Sequence, residues 1–116
     1  MTEGDIRGLS QFYADGLERM EIWIDKRHAT ALPHRDNQRI PIILLIGEKR
    51  YNAGIRSTPA NSYVWICPDL RDDFGKKMVS LVRVLTNCGF QKNQRVSLDI
   101  EGKTIKIALA PSGSLR

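Results

Sequence analysis

Ile40-Pro41-Ile42-Ile43-Leu44-Leu45-Ile46-Gly47-Glu48-Lys49-Arg50-Tyr51-Asn52-Ala53-Gly54-Ile55-Arg56 is the stretch that decides the fold. Ile40 to Ile46 is an almost unbroken apolar run, short enough for a strand and bounded by a turn signal. Pro41 sits at its start, where a missing N–H does no harm. Gly47 to Arg50 reads as a hairpin turn. Tyr51 to Ile55 returns as a strand, with Tyr51, Ala53 and Ile55 on one face and Gly54 marking a bulge.

Working outward, Met20 to Lys26 reads as a strand in which Ile22 and Ile24 alternate with Glu21, Trp23 and Asp25. Ser62 to Cys67 is a strand rich in aromatic and β-branched residues, ended by Pro68. Arg95 to Glu101 and Thr104 to Leu109 form a hairpin about Gly102, with Val96, Leu98, Ile100, Ile105, Ile107 and Leu109 inward.

Two helices are expected. Residues 1 to 19 form an N-terminal helical segment, because Ile6, Leu9, Phe12, Tyr13 and Leu17 recur at three- and four-residue intervals. Lys76 to Cys88 carries the apolar stripe Met78, Leu81, Val82, Leu85. Asp72 and Asp73 lie upstream, and Gly89-Phe90 forms a C-terminal stop. Residues 20 to 110 make the core and 111 to 116 a small polar tail.

Strands of this length cannot hide both faces in a flat sheet. The expected fold is mainly β (α+β): one domain built as an open, curled barrel (a pseudobarrel) of about six to seven strands, with two short helices plugging its ends.

The composition is that of a globular domain: 41% hydrophobic and 27% charged over 116 residues, enough for one core. No apolar run approaches the ~18 residues of a membrane helix, so no membrane partner is expected. The acidic opening Met1-Thr2-Glu3-Gly4-Asp5 lacks the basic and apolar regions of a secretory signal, which points to the cytoplasm. Cys67 and Cys88 are expected as buried thiols; neither belongs to a CxxC pair.

The net charge is +5, and its distribution is informative. Residues 1 to 25 sum to −4, from six acidic side chains against Arg7 and Arg19. Residues 26 to 56 sum to +5, from Lys26, Arg27, Arg35, Arg39, Lys49, Arg50 and Arg56 against Asp36 and Glu48. Arginine outnumbers lysine, 11 to 7, and its planar fork suits phosphate oxygens and guanine edges.

The candidate site is a pair of polar loops. The first offers Lys26, Arg27, His28, His34, Arg35, Asn37, Gln38 and Arg39. The second offers Arg56, Ser57, Thr58 and Asn61. In the expected order each loop joins consecutive strands, so both emerge from one end of the curled sheet. Arginine can bond guanine bidentately, asparagine and glutamine adenine, and lysine and hydroxyls the phosphates. Lys49 and Arg50, at the intervening turn, add electrostatic reach if they lie on the same side.

Other chemistries compete. His28, His34 and Asp36 are a conceivable metal set, but their spacing fits no strong motif, and no metal or other cofactor is expected. Pro68-Asp69 with Glu101-Gly102-Lys103 resembles the magnesium-dependent nuclease pattern, although Gly102 places the last three at a turn. Tyr13, Trp23, Tyr63 and Trp65 are the candidates for stacking on unpaired bases.

Tyr51 to Arg56, the loop to Asn61-Ser62-Tyr63-Val64-Trp65-Ile66, the Gly75 to Gly89 helix and the closing hairpin together resemble B-three-type pseudobarrel domains. These occur in plant transcription factors and as recognition domains of bacterial restriction endonucleases. The resemblance spans about residues 20 to 110. It implies a seven-stranded open barrel with two arms gripping the DNA major groove, at Lys26 to Arg39 and Arg56 to Asn61. It implies no catalysis by this chain, and a nuclease domain as a separate partner. The expected function is therefore sequence-specific double-stranded DNA binding. A magnesium-dependent nuclease and an RNA- or protein-interaction module are the alternatives.

Overall fold

The computed structural model of the protein describes residues 2–110. Nine strands and one α-helix follow in chain order: β1 (Thr2–Phe12), β2 (Glu18–Asp25), a 3-10 turn (Lys26–His28), β3 (Ile40–Ile46), β4 (Lys49–Arg56), β5 (Tyr63–Ile66), β6 (Asp69–Arg71), β7 (Met78–Ser80), α1 (Leu81–Asn87), β8 (Arg95–Glu101) and β9 (Thr104–Leu109). The expected tail, 111 to 116, lies outside the described residues.

The hairpin that opened the sequence reading closes the barrel. The strand order is β3-β9-β8-β1-β2-β5-β4, and β4 pairs back onto β3 to complete a ring of seven. The fold is thus the expected mainly β barrel, with its ring shut by the β3–β4 ladder from Ile40↔Ile55 to Ile46↔Lys49. All its pairings are antiparallel except β3–β9, where Ile43 to Ile46 run beside Thr104 to Ile107. Pro41 precedes the first β9 partner, so its missing N–H interrupts no ladder. β6 and β7 form a hairpin hung on β4 through Asn52↔Arg71.

Alternation sets the core. Ile22 and Ile24 of β2, Ile42, Leu44 and Ile46 of β3, Ala53 and Ile55 of β4, Val64 and Ile66 of β5, and Val96, Leu98, Ile105 and Ile107 of the last hairpin are all buried together. α1 contributes Leu81, Val84 and Leu85 near the β3–β4 turn, where Cys88 Sγ lies 3.2 Å from where a Cβ at Gly47 would stand. The first polar loop contributes Ala29 and Leu32, both buried in the same cluster. No helix among the described residues is long and apolar enough to cross a membrane.

Four expectations are corrected. The expected N-terminal helix, 1 to 19, is not formed: its described residues, 2 to 19, are β1, the turn at 13 to 17 and the start of β2. The apparent stripe is not buried as a stripe, for Ile6 is fully enclosed but Phe12 is 67% exposed. β1 ladders with both β2 and β8, and Gly4 is the reason it fits: a Cβ there would come within 2.9 Å of the Trp23 carbonyl. The second helix is half as long as expected. Met78 to Ser80 pairs with Asp69 to Arg71, and Ser80 Oγ caps α1 by accepting from the Arg83 amide at 3.3 Å. Asp72 caps the β6–β7 turn, accepting from the Lys76 amide at 2.8 Å. Gly54 is no bulge, since it pairs in regular register with Pro41. Cys67 is buried as expected, but Cys88 is exposed; both are free thiols.

Candidate nucleic-acid interface

The two polar loops leave the same end of the barrel, because Asp25 pairs with Tyr63 and Ile40 with Ile55. They are tied to each other. A parallel bridge joins Asp36 to Ser57, and the Asn37 amide donates to the Ser57 carbonyl at 2.8 Å. Asn37 takes a left-handed conformation there (φ 64°), which asparagine tolerates well. Ser57 Oγ, almost fully buried, donates to Asp36 Oδ1 at 3.0 Å. Lys26 Nζ donates to the Thr58 carbonyl at 2.6 Å and lies 3.3 Å from Asp36 Oδ1. The Ser57 hydroxyl, then Lys26, hold the Asp36 carboxyl below its ordinary range, against partial desolvation. With Ala29 and Leu32 seated in the core, the loops form one preorganised unit.

This bonding sorts the expected contact residues. Lys26 and Ser57 hold the loops together. Arg27 is folded back on Asp25, its Nη2 2.7 Å and its Nε 3.1 Å from the carboxylate; that pairing keeps the Asp25 carboxyl far below the usual range. His34 Nδ1 donates to the Leu32 carbonyl at 2.9 Å. His28, Arg35, Asn37, Gln38 and Arg39 are exposed along the first loop, while Thr58 and Asn61 are half-buried in the second.

Arg39 and Arg56 stand where the loops rejoin the barrel, and both line a cleft of about 730 Å3 on its outer face. Arg19, Glu21, Trp65, Cys67, Asp69 and Arg71 line it too. Arg56 lies opposite Trp65 in the β4–β5 register. On the far wall Arg19 Nη2 pairs with Asp69 Oδ2 at 3.1 Å and its guanidinium lies 5.2 Å over the Tyr13 ring. The Tyr13 hydroxyl donates to Asp69 Oδ1 at 2.7 Å. Arg39, Arg56 and Arg71 make no ion pair among the described residues.

Burial, then the bond to Asp69, pushes the Tyr13 phenol up from 10.0 to about 12. A phenol that stays protonated longer when folded stabilises the fold fully below pH 10 and ever less as pH rises from 10 to about 12. Tyr13→Phe is expected to cost on the order of 1 kcal/mol at neutral pH and to flatten that alkaline decline. Urea denaturation at about pH 9 and about pH 11 checks it, with the half-buried Tyr51 contributing in the same direction.

Burial perturbs two titratable groups of the cleft. Burial pushes the Cys67 thiol up, although Arg39 and Arg56 pull the other way, so it is no ready nucleophile. Glu21 is also pushed up by burial and accepts from Trp23 Nε1 at 2.8 Å. The nuclease-like residues are not brought together. Lys103 meets β3 at Ile43, Ile43 pairs with Asn52, and Asn52 with Arg71; that is three strand spacings, about 14 Å, from Lys103 to the Asp69 strand. Among the described residues no three of His, Cys, Asp and Glu cluster as a metal site, and Asp36 is occupied by Ser57 and Lys26.

The aromatic candidates mostly serve packing. Trp23 and Tyr63 stack at 4.0 Å and 10°, Tyr63 meets Trp65 at 5.8 Å, and Arg7 lies 4.8 Å over Trp23. Lys49 and Arg50 do not join the loops. They follow the turn at the opposite end of the barrel, where Arg50 lies 3.4 Å from Asp73.

Four acids of the opening segment are neutralised away from the cleft, while Glu21 lines it. Glu3 and Asp5 pair with Arg95, Asp15 with Arg83 and Glu18 with Lys92, at 2.6 to 3.0 Å. Of the basic middle segment, Lys26, Arg27 and Arg50 pair with Asp36, Asp25 and Asp73, while Arg35, Arg39, Lys49 and Arg56 make no ion pair among the described residues. Sequence reasoning missed Arg19 and Arg71. Arg19 lies in a segment whose apolar spacing mimics a helix, and Arg71 in a three-residue strand too short to show a period. No protein-family model, curated protein or solved structure matches the chain.

Proposed function

We propose that the chain binds double-stranded DNA, sequence-specifically and without catalysis, as a B-three-type recognition domain would. One observation carries this reading. The two polar loops are bonded into a single unit, and the cleft at their base holds Arg39, Arg56 and Arg71 without ion-pair partners among the described residues. A preorganised pair of loops can enter a groove at small entropic cost, and uncompensated arginines attract a polyanion. On this reading His28, Arg35, Asn37, Gln38, Thr58 and Asn61 touch base edges, and Arg39, Arg56 and Arg71 meet the backbone. A separate nuclease domain is the partner this reading implies.

The test is fluorescence anisotropy with a labelled DNA duplex, the same sequence as an RNA duplex, and each single strand, across a salt series. The DNA duplex is expected to bind tightest, with affinity falling linearly in log salt. Equal affinity for the RNA duplex would move the reading to an RNA-binding barrel, because A-form shape and the 2′-hydroxyl should discriminate.

A further inference from the structure

Arg39 and Arg56 reach the cleft from different parts of the chain and end on one wall of it. Arg39 leads into β3; Arg56 closes β4. The Arg39 side chain lies across the backbone of Gly54. A Cβ at that position would stand 2.6 Å from Arg39 Cζ and 2.8 Å from Cγ, both far inside contact distance. The residue is glycine where any side chain would lift the guanidinium away. Gly54 shares the outward face of β4 with Arg56, two residues on. Both guanidiniums lie close enough to the Cys67 thiol to influence it.

Neither makes an ion pair among the described residues. Of the two acids lining the cleft, Asp69 is paired with Arg19 and accepts from Tyr13, and Glu21 accepts from the Trp23 indole. Two cations facing one cleft repel, and the arrangement costs energy unless an anion sits between them. An oxyanion presenting several acceptor oxygens fits, since each guanidinium can offer two parallel N–H donors. We propose that Arg39 and Arg56, with Gly54 as the seat that holds Arg39 down, form a two-arginine clamp for one phosphate group, a backbone phosphodiester of the bound duplex. Identifying that phosphate as DNA rests on the function proposed above; the clamp itself does not.

The experiment follows thermal unfolding with inorganic pyrophosphate as the probe, on the whole chain and on Arg39→Ala, Arg56→Ala, Gly54→Ala and Lys49→Ala. An anion that binds only the folded state raises the midpoint in proportion to its occupancy. The wild type and Lys49→Ala are expected to gain several degrees at about 20 mM pyrophosphate. Each clamp variant is expected to lose most of that gain relative to its own midpoint, including Gly54→Ala, whose charge is unchanged. Should Gly54→Ala fail to fold, the two arginine variants decide. An equal gain in all proteins, or none in the wild type, would overturn the clamp. A duplex titration of the wild type separates the two ideas. Pyrophosphate protection without duplex binding keeps the clamp and removes the DNA reading. Duplex binding without selective protection does the reverse.

Discussion

Leu44→Ala is expected to lower the unfolding free energy by about 3–4 kcal/mol, the range for deleting a fully enclosed leucine whose cavity cannot collapse. Leu44 is fully buried at the middle of β3, facing the barrel interior. Its strand is the one the ring cannot do without: the Leu44 backbone pairs with Tyr51 on one side and Ile105 on the other. Loss of side-chain volume there is felt on both sides of the closure, where neighbouring strands are held by two ladders and cannot move in to fill it. A domain of this size has about 5–15 kcal/mol in total, so the loss should bring the melting midpoint down by roughly 10–15 °C. Leu45, the next residue, points outward and is only half-buried. Leu45→Ala should cost about 1 kcal/mol or less. Urea denaturation of both variants checks the alternation, and equal losses would mean that β3 is not in the register described.

The second large effect is expected at the cleft. Replacing Arg39, Arg56 and Arg71 together by alanine should weaken duplex DNA binding by roughly 10²–10³-fold and reduce the slope of log affinity against log salt by about 2–3. The three are exposed, without ion-pair partners among the described residues, and line one concavity. Their removal takes away charge without opening the core or orphaning a buried acid, so stability should change little. Replacing Arg83, Lys92 and Arg95 removes the same charge from the side where Asp15, Glu18, Glu3 and Asp5 neutralise it. That set is expected to leave DNA affinity within about threefold of wild type. Comparable losses from both sets would reduce the interaction to net charge.

Much of the fold is legible in the residues that alternate cleanly. Ile22 and Ile24, the Ile40 to Ile46 run, and the Val96–Leu98 and Ile105–Ile107 pairs face inward as their period demands. Gly89 (φ 86°) and Phe90, whose amide bonds the Leu85 carbonyl at 2.9 Å, end α1 as a glycine stop should. The N-terminal segment misleads because its strand is built on glycines. Gly4 and Gly8 lie where β2 and its side chains approach the backbone, and Ser10 (φ 58°) marks an irregular stretch, so no period of two survives. The start of the second helix misleads for a tertiary reason: Met78 to Ser80 is claimed by β6, a pairing that local propensity does not reveal.

The candidate site is legible as loops and illegible as a surface. The polar composition of residues 26 to 39 and 56 to 61 makes them candidates for a recognition role, and their shared end of the barrel follows from strand order. The Asp36–Ser57 tie, the Arg39 seat on Gly54 and the entry of Arg19 and Arg71 into the cleft depend on contacts between segments 15 or more positions apart. The separation of Lys49 and Arg50 from the loops follows from the same geometry, since a hairpin places its turn one strand length from its ends.

The central claim is that the joined loops read DNA sequence while the cleft beneath them holds the backbone. Selection of the chain against a randomised duplex DNA pool at two salt concentrations, followed by sequencing of what is retained, tests it most directly. The account predicts an enriched motif of a few base pairs at both concentrations, with total retention falling steeply at the higher one. Retention that falls with salt but enriches no motif would contradict it, leaving the loops without a reading role.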